Sequence, residues 1–98
     1  MARLRVSRKA RSELDSIWFY IARQSGSTEI ASCIIDGITG RFWLFSRYPN
    51  VGRPRDDLRP GLRSSVAGDY VIIYRVEKDT VIIDHILHGS RDISGLLG

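Results

Sequence analysis

The chain has 98 residues, enough for one domain over residues 1–98 with a modest core and too few for two domains. Its composition, 43% apolar and 27% charged, excludes a disordered or low-complexity chain. The formal net charge of +4 favours an acidic partner, either nucleic acid or an anionic protein surface.

The single cysteine, Cys33, cannot form an internal disulfide. It lies in an apolar helical pattern, and we expect it to be buried as a small hydrophobic residue. No group of cysteine and histidine residues has the spacing of metal ligands, so we expect neither a metal nor a cofactor. The sequence contains no apolar run typical of a signal peptide or a membrane span, so we expect a cytoplasmic protein without a membrane partner.

The first predicted elements are a short strand and an amphipathic helix. Arg3–Val6 alternates polar and apolar residues, as a half-buried strand does. Ser7 can cap the helix that follows, because its hydroxyl can accept a free backbone N–H. The helix is predicted from about Arg8 to Arg23, with a C-capping glycine at or beside Gly26. Its apolar stripe consists of Ala10, Leu14, Ile17, Trp18 and Ile21.

Three consecutive aromatic residues near the end of this helix cannot all face one core. We expect Trp18 and Tyr20 to be partly buried and Phe19 to lie on a different face. An exposed Phe19 would mark an interaction patch, although single exposed aromatic residues are also common on ordinary surfaces.

A second helix is predicted between a cap at Ser27 or Thr28 and the sequence Tyr48-Pro49-Asn50. Gly37 and Gly40 lie inside it and each costs roughly 1 kcal/mol relative to alanine. These glycines either permit close approach to the first helix or weaken the second one. The short connection between the helices implies an antiparallel hairpin. The apolar positions of the second helix are Ile30, Ala31, Ile34, Ile35, Ile38, Phe42 and Phe45.

The segment Gly52–Arg63 that follows is basic and contains several prolines and glycines. Arginine side chains on a stiff loop form a preorganised surface for carboxylate or phosphate groups, because the guanidinium stays charged and makes forked contacts. The alternative is an ordinary solvated loop with surface charge, since loops of this composition are common.

Three further strands are predicted at Leu62–Ala67, Tyr70–Val76 and Val81–His88. They are joined by the tight turn Gly68-Asp69 and by the polar turn Glu77–Thr80. The tail, residues 89–97, has at most one helical turn. The predicted fold class is therefore α+β: an N-terminal strand, an antiparallel two-helix hairpin, and a three-stranded antiparallel sheet on which the helices pack.

The last turn predicts the register of the final two strands. If Val76 lies opposite Val81, then Arg75 pairs with Ile82 and can reach Asp84 diagonally. Strict alternation then groups Arg75, Ile82, Asp84 and His88 on one face, and Ile83, His85 and Leu87 on the other.

Taken in order, the motifs of this chain resemble the ParE-type toxins of bacterial toxin–antitoxin modules, within the wider ParE/RelE superfamily. The motifs are Ile17-Trp18-Phe19-Tyr20-Ile21, Pro49-x-x-Gly52-Arg53-Pro54, Leu58-Arg59-x-Gly61-Leu62-Arg63, Tyr74-Arg75-Val76 and Ile86-Leu87-His88-Gly89-x-Arg91-Asp92. They extend over nearly the whole chain. Each motif alone is weak, but the ordered set is specific.

The resemblance implies a RelE/ParE-like fold and a toxin of a type II system involved in plasmid stabilisation. Such toxins poison DNA gyrase and thereby block replication. They are held inactive in a hetero-oligomer by a ParD-like antitoxin, which pairs a ribbon-helix-helix DNA-binding dimer with a segment that wraps the toxin. DNA would then be contacted only indirectly, through the antitoxin or gyrase.

The RelE-like branch of the superfamily suggests an alternative, a ribosome-dependent mRNA endonuclease. Cleavage needs a group that takes the 2′-hydroxyl proton and cations that stabilise the charge on the phosphate. The candidates for these roles are His88, Arg75 and Arg63. RelE-like toxins usually have lysines in the middle of the chain and a C-terminal aromatic residue, and this chain has neither. The sequence thus favours a non-catalytic inhibitor, and a non-toxic antitoxin-binding module is a third possibility.

The partner-binding residues expected from the basic loop, the sheet and the tail are Arg53, Arg55, Arg59, Arg63, Arg75 and Arg91. Arg63 and Arg75 lie in strands, so each needs either an acidic partner inside the fold or an open groove. Arg91 and Asp92 form either a local structural pair or part of a tail that faces the target. For His88 we favour a structural role, in which its ring hydrogen-bonds the backbone and orders the turn that follows.

Overall fold

The computed structural model of the protein describes residues 2–91, 93 and 95. The predicted α+β class is confirmed: two helices lie on one mixed sheet, whose strands run in the order β1-β5-β4-β3-β2. The elements in chain order are β1 (Arg3–Val6), α1 (Arg8–Ser25), α2 (Thr28–Arg47), β2 (Arg53–Pro54), β3 (Leu62–Ala67), β4 (Tyr70–Glu77) and β5 (Thr80–His88). The sheet has one strand more than predicted, because Arg53–Pro54 of the basic loop pairs with β3.

The helix ends follow the predicted capping residues closely. The Ser7 hydroxyl accepts the N–H of Ala10 at 3.0 Å, and Ser27 does the same for Ile30 at 3.1 Å. Helix α1 runs two residues further than predicted and ends at Gly26, which adopts a left-handed conformation with φ of 70°. These caps act within a few residues of sequence and fix the geometry of the helical hairpin.

The two glycines inside α2 do not bring it close to α1. A Cβ atom at Gly37 or Gly40 would meet nothing within 4 Å. Both residues are exposed on the surface of the helix. Of the two predicted explanations, close approach to α1 is therefore wrong.

The core lies between the helices and one face of the sheet. Phe45 of α2 stacks on Tyr74 of β4 with ring centroids 4.2 Å apart. A smaller apolar cluster lies on the opposite, helix-free face of the sheet, where Leu58 of the basic loop packs on Leu62 and Ile73. The remaining buried members of the main core are Ala10, Ile21, Ala31, Ile38, Phe42, Tyr70, Ile72, Val81, Ile83 and Ile86.

Two predictions about single residues of the helices are wrong. Cys33 is exposed rather than buried. It lies two positions past the buried Ala31, which rotates it about 200° around the helix and away from the core. Tyr20 is 62% exposed, whereas its neighbour Trp18 is half-buried and Phe19 is 68% exposed, as expected.

Strand β1 pairs with β5 in parallel, and this pairing has no local signal in the sequence. Arg3 lies opposite Thr80 and Val6 lies opposite Ile83. The remaining neighbouring strands are antiparallel. The last strand therefore lies inside the sheet, and the first strand forms an edge.

The predicted register of β4 and β5 is correct up to a bulge. Val76 lies opposite Val81 and Arg75 lies opposite Ile82, as predicted. Tyr74 then pairs with Ile83 while Ile73 pairs with His85, so one residue of β5 is extra.

That extra residue, Asp84, reverses the alternation of side chains beyond it. His85 therefore lies on the helix-free face with Asp84, not beside Ile83, and His88 moves to the helix side opposite Tyr70. The predicted grouping of His88 with Arg75 and Asp84 is wrong.

Candidate partner-binding surfaces

The end of α2 and the start of the basic loop are fastened to the sheet by one buried tyrosine. The Tyr74 hydroxyl donates to the carbonyl oxygen of Pro49 at 2.9 Å and accepts the N–H of Gly52 at 2.8 Å. Burial raises the pKa of this phenol, and the N–H of Gly52 and the charge of Arg63 oppose that rise only in part. The loop thus starts from a fixed point beside the core.

The arginine side chain of β3 secures the same turn. Arg63 donates to the carbonyl oxygen of Gly52 at 2.7 Å and to that of Asn50 at 3.1 Å. The prediction for Arg63 was either an acidic partner inside the fold or an open groove, and the observed acceptors are backbone carbonyls rather than an acidic side chain. Its guanidinium has internal backbone partners, which gives it a structural role in the fold.

The tip of the basic loop is also ordered by internal contacts. Asp56 accepts the N–H of Gly61 at 2.9 Å, and Gly61 takes a φ of 85° that suits glycine. Arg55 pairs with Asp57 at 3.0 Å, and this hydrogen bond lowers the pKa of the Asp57 carboxyl. Leu58 beneath them anchors the loop to the sheet. The loop is therefore a formed surface rather than a loose solvated segment.

The expected partner-binding arginines divide into two groups. Arg75 is held between Asp84, at 3.0 Å, and Glu77. By contrast, Arg53 and Arg59 are exposed and form no ion pair within the described residues, and Arg91 is exposed after β5.

The predicted Arg91–Asp92 pair lies outside the described residues, as does most of the predicted helical turn of the tail.

The three residues considered for mRNA cleavage do not share a site. His88 is opposite Tyr70 and Arg75 is opposite Ile82, five residues further along β4, which separates them by roughly 16 Å at the rise of a strand. Arg63 pairs with Tyr74, whose side chain faces the helices, whereas the side chain of Arg75 lies on the other face with Asp84. These side chains cannot act together on one phosphate.

Both histidines have local partners. The Nδ1 atom of His88 accepts the N–H of Ser90 at 3.1 Å and lies 2.6 Å from its hydroxyl oxygen. This is the geometry expected for a residue that orders the turn. The Nδ1 atom of His85 lies 3.3 Å from the carboxylate of Glu13, which also accepts the N–H of Ile86 at 3.1 Å.

A groove of about 1120 Å³ lies between the helical hairpin and the end of the sheet. Its apolar wall includes Ile34 of α2, and its charged rim carries Lys9, Arg41 and Arg91 beside the acidic Glu13 and Asp69. This groove was not predicted from the sequence. The sequence feature that could have indicated the groove is the width of the apolar stripe on α2. Ile30 and Ile34 widen this stripe beyond the part that packs on the core, and both are exposed.

The described residues contain no cluster of histidine, cysteine, aspartate and glutamate that could hold a metal ion. Neither helix within residues 2–91 is long and apolar enough to cross a membrane.

The fold is shared with chains of two solved bacterial toxin–antitoxin systems. It superposes on a chain of the chromosomal ParDE system from P. aeruginosa with a TM-score of 0.79 and 24% identity, over 90% of this chain and 96% of that one. It also superposes on a chain of the RelBE2 toxin–antitoxin complex of Mycobacterium tuberculosis with a TM-score of 0.61 and 24% identity, over 89% and 96% of the two chains. Because the sequence identity is only 24% in each case, these two similarities show the fold alone.

Sequence similarity then gives the family. Residues 4–93 match the ParE toxin of the type II toxin–antitoxin system parDE. The chain is 32% identical to Toxin ParE3 of Caulobacter vibrioides over 98 residues, which cover 100% of this chain and 97% of that protein. It is 33% identical to Toxin ParE1 of the same organism over 94 residues, 96% of each. The chain belongs to the ParE toxin family.

Proposed function

We propose that this toxin inhibits DNA gyrase by binding it, without cleaving RNA, and that a ParD-like antitoxin neutralises it in the cytoplasm. The observation that carries the non-catalytic part is the separation of His88, Arg75 and Arg63. A general base and the cations it works with must meet at one phosphate, within hydrogen-bond reach. Membership of the ParE family supports gyrase as the target and plasmid maintenance as the setting.

We propose that the basic loop makes the contact with gyrase. Arg53 and Arg59 project from a loop whose backbone is fixed by Tyr74, Asp56 and Leu58. Because the loop is already ordered, binding through these guanidinium groups loses little conformational entropy. Arg55 and Arg75 have carboxylate partners within the fold and are less available.

We assign the antitoxin contact to the groove. Its apolar wall and the cations at its rim suit an amphipathic segment that carries acidic residues on its polar face. Arg41 has only the Ser65 hydroxyl as a side-chain partner among the described residues, so its charge is uncompensated. Glu13, the acidic residue on the α1 wall, is already engaged by Ile86 and His85.

The test of the proposed function is a supercoiling assay with purified gyrase and the full chain, with and without the antitoxin. We expect loss of supercoiling with accumulation of cleaved DNA, and recovery when the antitoxin is added. Arg53→Gln combined with Arg59→Gln should weaken inhibition by roughly tenfold, because two charged contacts are lost.

The matched control is Arg8→Gln combined with Arg23→Gln, which removes the same charge from exposed positions of α1. It should inhibit as the unmodified chain does. Intact supercoiling together with ribosome-dependent cleavage of mRNA would contradict the proposal, and harmless expression with tight antitoxin binding would favour a non-toxic module.

A further inference from the structure

One end of the molecule is strongly basic. Residues 1–12 contain five basic side chains and residues 37–55 contain four, and neither segment contains an acidic one. The fold joins the two segments, because Ala2 donates its N–H to the carbonyl oxygen of Ser46 at 2.9 Å and its own carbonyl accepts the Ser46 hydroxyl. Together they form a basic end with nine of the fifteen basic residues. The acidic Asp79 adjoins this end, since its carbonyl accepts the N–H of Arg3.

Trp43 projects from the outer face of α2 at this basic end. It is 64% exposed, whereas the preceding residue, Phe42, is buried in the core. The other exposed apolar residues of α2 and its C-cap are Ile30, Ile34 and Tyr48. At about 100° of rotation per residue, they lie about 140–180° around the helix from Trp43. Trp43 is therefore separate from the apolar wall of the groove.

Along α2, the neighbours of Trp43 leave one side of the indole open and place a cation on the other. Helical side chains lean toward the N-terminus, so the indole lies over the turn that contains Gly40. Gly40 is exposed, and a Cβ atom there would meet nothing within 4 Å. Arg47 follows Trp43 by one turn on the same exposed face. A planar ring can thus reach the indole beside a guanidinium group, and Asp36, one turn before Gly40, limits this surface.

Arg11 of α1 approaches the same indole from the other helix. The Nε1 atom of Trp18 donates to the Ser32 hydroxyl at 3.1 Å, which fixes these two residues at the same height in the antiparallel hairpin. Arg11 lies seven residues before Trp18, and Thr39 lies seven residues after Ser32. Since seven residues make about two helical turns, Arg11 lies level with Thr39 on the side of α1 that faces α2. Thr39 belongs to the turn over which the indole of Trp43 leans.

These three side chains suit one kind of ligand, a single strand of nucleic acid. Arg11 and Arg47 are exposed and form no ion pair within the described residues, so both charges are available to phosphates. An exposed indole offers a flat face on which an unpaired base of any type can stack. An acidic peptide would pair with the arginines but not with the isolated ring, and a second copy of the chain would bring like charges together.

We propose that the basic end binds single-stranded nucleic acid through Arg11, Trp43 and Arg47. An unpaired base stacks on Trp43 in the space beside Gly40, and the two arginines pair with phosphates of the flanking nucleotides. The site is distinct from the groove, because none of the three residues lines it. A direct contact with a strand goes beyond the indirect DNA contact that the family resemblance implies.

The test measures the fluorescence anisotropy of labelled strands of about twelve nucleotides that are titrated with the full chain. Oligo(dT) and oligo(U) should both bind, since neither stacking nor phosphate pairing needs the 2′-hydroxyl, and the tighter of the two identifies the class of strand. A strand of equal length without bases should bind at least about fivefold more weakly. Equal binding with and without bases, or no binding at all, would overturn the proposal.

Tryptophan emission reports where the base lies. The chain has two tryptophans, so Trp18→Phe leaves Trp43 as the single emitter. Stacking should quench the emission of this variant when oligo(dT) is added. Trp43→Leu should lose affinity by at least about fivefold and should remain folded in urea unfolding, because the side chain is exposed. Unquenched emission at saturation would refute stacking on Trp43.

Two glycine variants test the open space beside the indole. Gly40→Leu should weaken binding of oligo(dT) by at least about threefold, because leucine would occupy the place of the base. Gly37→Leu directs its side chain into the groove and should change the affinity by less than about twofold. Both substitutions favour the helix, so both variants should fold. Equal affinities of the two variants would contradict the proposed position of the base.

Matched arginine variants separate phosphate contacts from the net charge. Arg47 and Arg23 each lie in the last turn of their helix, and both are exposed. Arg47→Gln should reduce the slope of log affinity against log salt by about 0.7, the value for one phosphate contact on a single strand, and Arg11→Gln should do the same. Arg23→Gln should leave the slope unchanged, and an equal change in all three variants would contradict a specific site. Gyrase is absent from these assays, so failure of either proposal leaves the other readable.

Discussion

Tyr74 joins the sheet both to the helical hairpin and to the basic loop. Its ring is buried and stacks on Phe45 of α2, while its hydroxyl joins the carbonyl of Pro49 to the N–H of Gly52. One side chain of the sheet therefore fixes the end of the helical hairpin and the first turn of the basic loop. Substitutions at this contact should therefore lower the free energy of unfolding of the whole protein.

We expect Gly52→Ala to destabilise the protein by about 1–3 kcal/mol. A Cβ at this position would lie 2.5 Å from the Tyr74 hydroxyl, so the ring or the loop must move. The control is Gly40→Ala, where the space is open and alanine favours the helix by roughly 1 kcal/mol. Urea unfolding of both variants should give effects of opposite sign, and equal stabilities would show that the loop is not fixed as described.

The stability of the protein should decrease at alkaline pH, in part because of Tyr74. Its folded-state pKa is raised, mainly by burial, above the ordinary value of 10.0. This contribution is fully present below about pH 10, and it is lost as the pH rises through the folded-state pKa. Burial also raises the pKa of Tyr70, which adds a loss of the same sign.

Urea midpoints measured between about pH 8 and pH 11 test this prediction. Tyr74→Phe should lower stability at neutral pH by about 1–3 kcal/mol, because the buried N–H of Gly52 loses its acceptor. The same variant should show a smaller alkaline loss than the unmodified chain. Tyr48→Phe, at an exposed position, should change neither quantity.

At the scale of the elements, the helices were more predictable than the sheet. The caps Ser7, Ser27 and Gly26 act on neighbouring residues, and the sequence therefore predicts both helix starts and the glycine that ends α1. The bulge at Asp84 depends on the pairing of two strands, and nothing near Asp84 in the sequence indicates it. For that reason strict alternation assigned His88 to the wrong face.

The contact between α1 and β5 shows how a helix completes an edge of the sheet. Strand β1 ends opposite Ile83, and beyond that point the Glu13 carboxylate accepts the N–H of Ile86. Since Glu13 is largely buried, its removal would leave this donor without an acceptor.

We expect Glu13→Ala to destabilise the protein by about 1–3 kcal/mol, as expected for an unsatisfied buried donor. Asp15→Ala is the control, because Asp15 lies on the exposed side of the same helix and forms no ion pair within the described residues. The control should change stability by less than about 0.5 kcal/mol. Thermal or urea unfolding measures both, and similar losses in the two variants would contradict the edge-completing role.

At the scale of the whole molecule, the sequence predicts the charged residues of a partner surface better than its shape. The arginines of the loop are visible in the sequence, but their division into paired and unpaired groups depends on contacts such as Arg75 with Asp84. The groove combines residues from both helices and three strands, so no single segment of the sequence predicts it. Its geometry exists only once the hairpin lies on the sheet.

If the antitoxin binds in the groove, substitutions at two glycines of α2 should differ in their effect on antitoxin affinity. Gly37 lines the groove, whereas Gly40 is exposed elsewhere on the helix, and both have open space beside them. Gly37→Leu should weaken antitoxin binding by at least about tenfold, because the side chain would fill part of the docking space. Gly40→Leu should bind normally.

Both leucine variants should be at least as stable as the unmodified chain, since leucine favours a helix over glycine. Calorimetric titration with the antitoxin gives the affinities, and urea unfolding gives the stabilities. Normal antitoxin binding by Gly37→Leu would exclude the groove as the docking site.

The parallel pairing of β1 with β5 has a consequence for the timing of synthesis. The first strand leaves the ribosome early, but its partner lies 77 residues further along the chain. The sheet therefore cannot close until β5 has been made, and contacts so distant in sequence form slowly. Any surface that needs the complete sheet is absent from a nascent chain until that strand has left the ribosome.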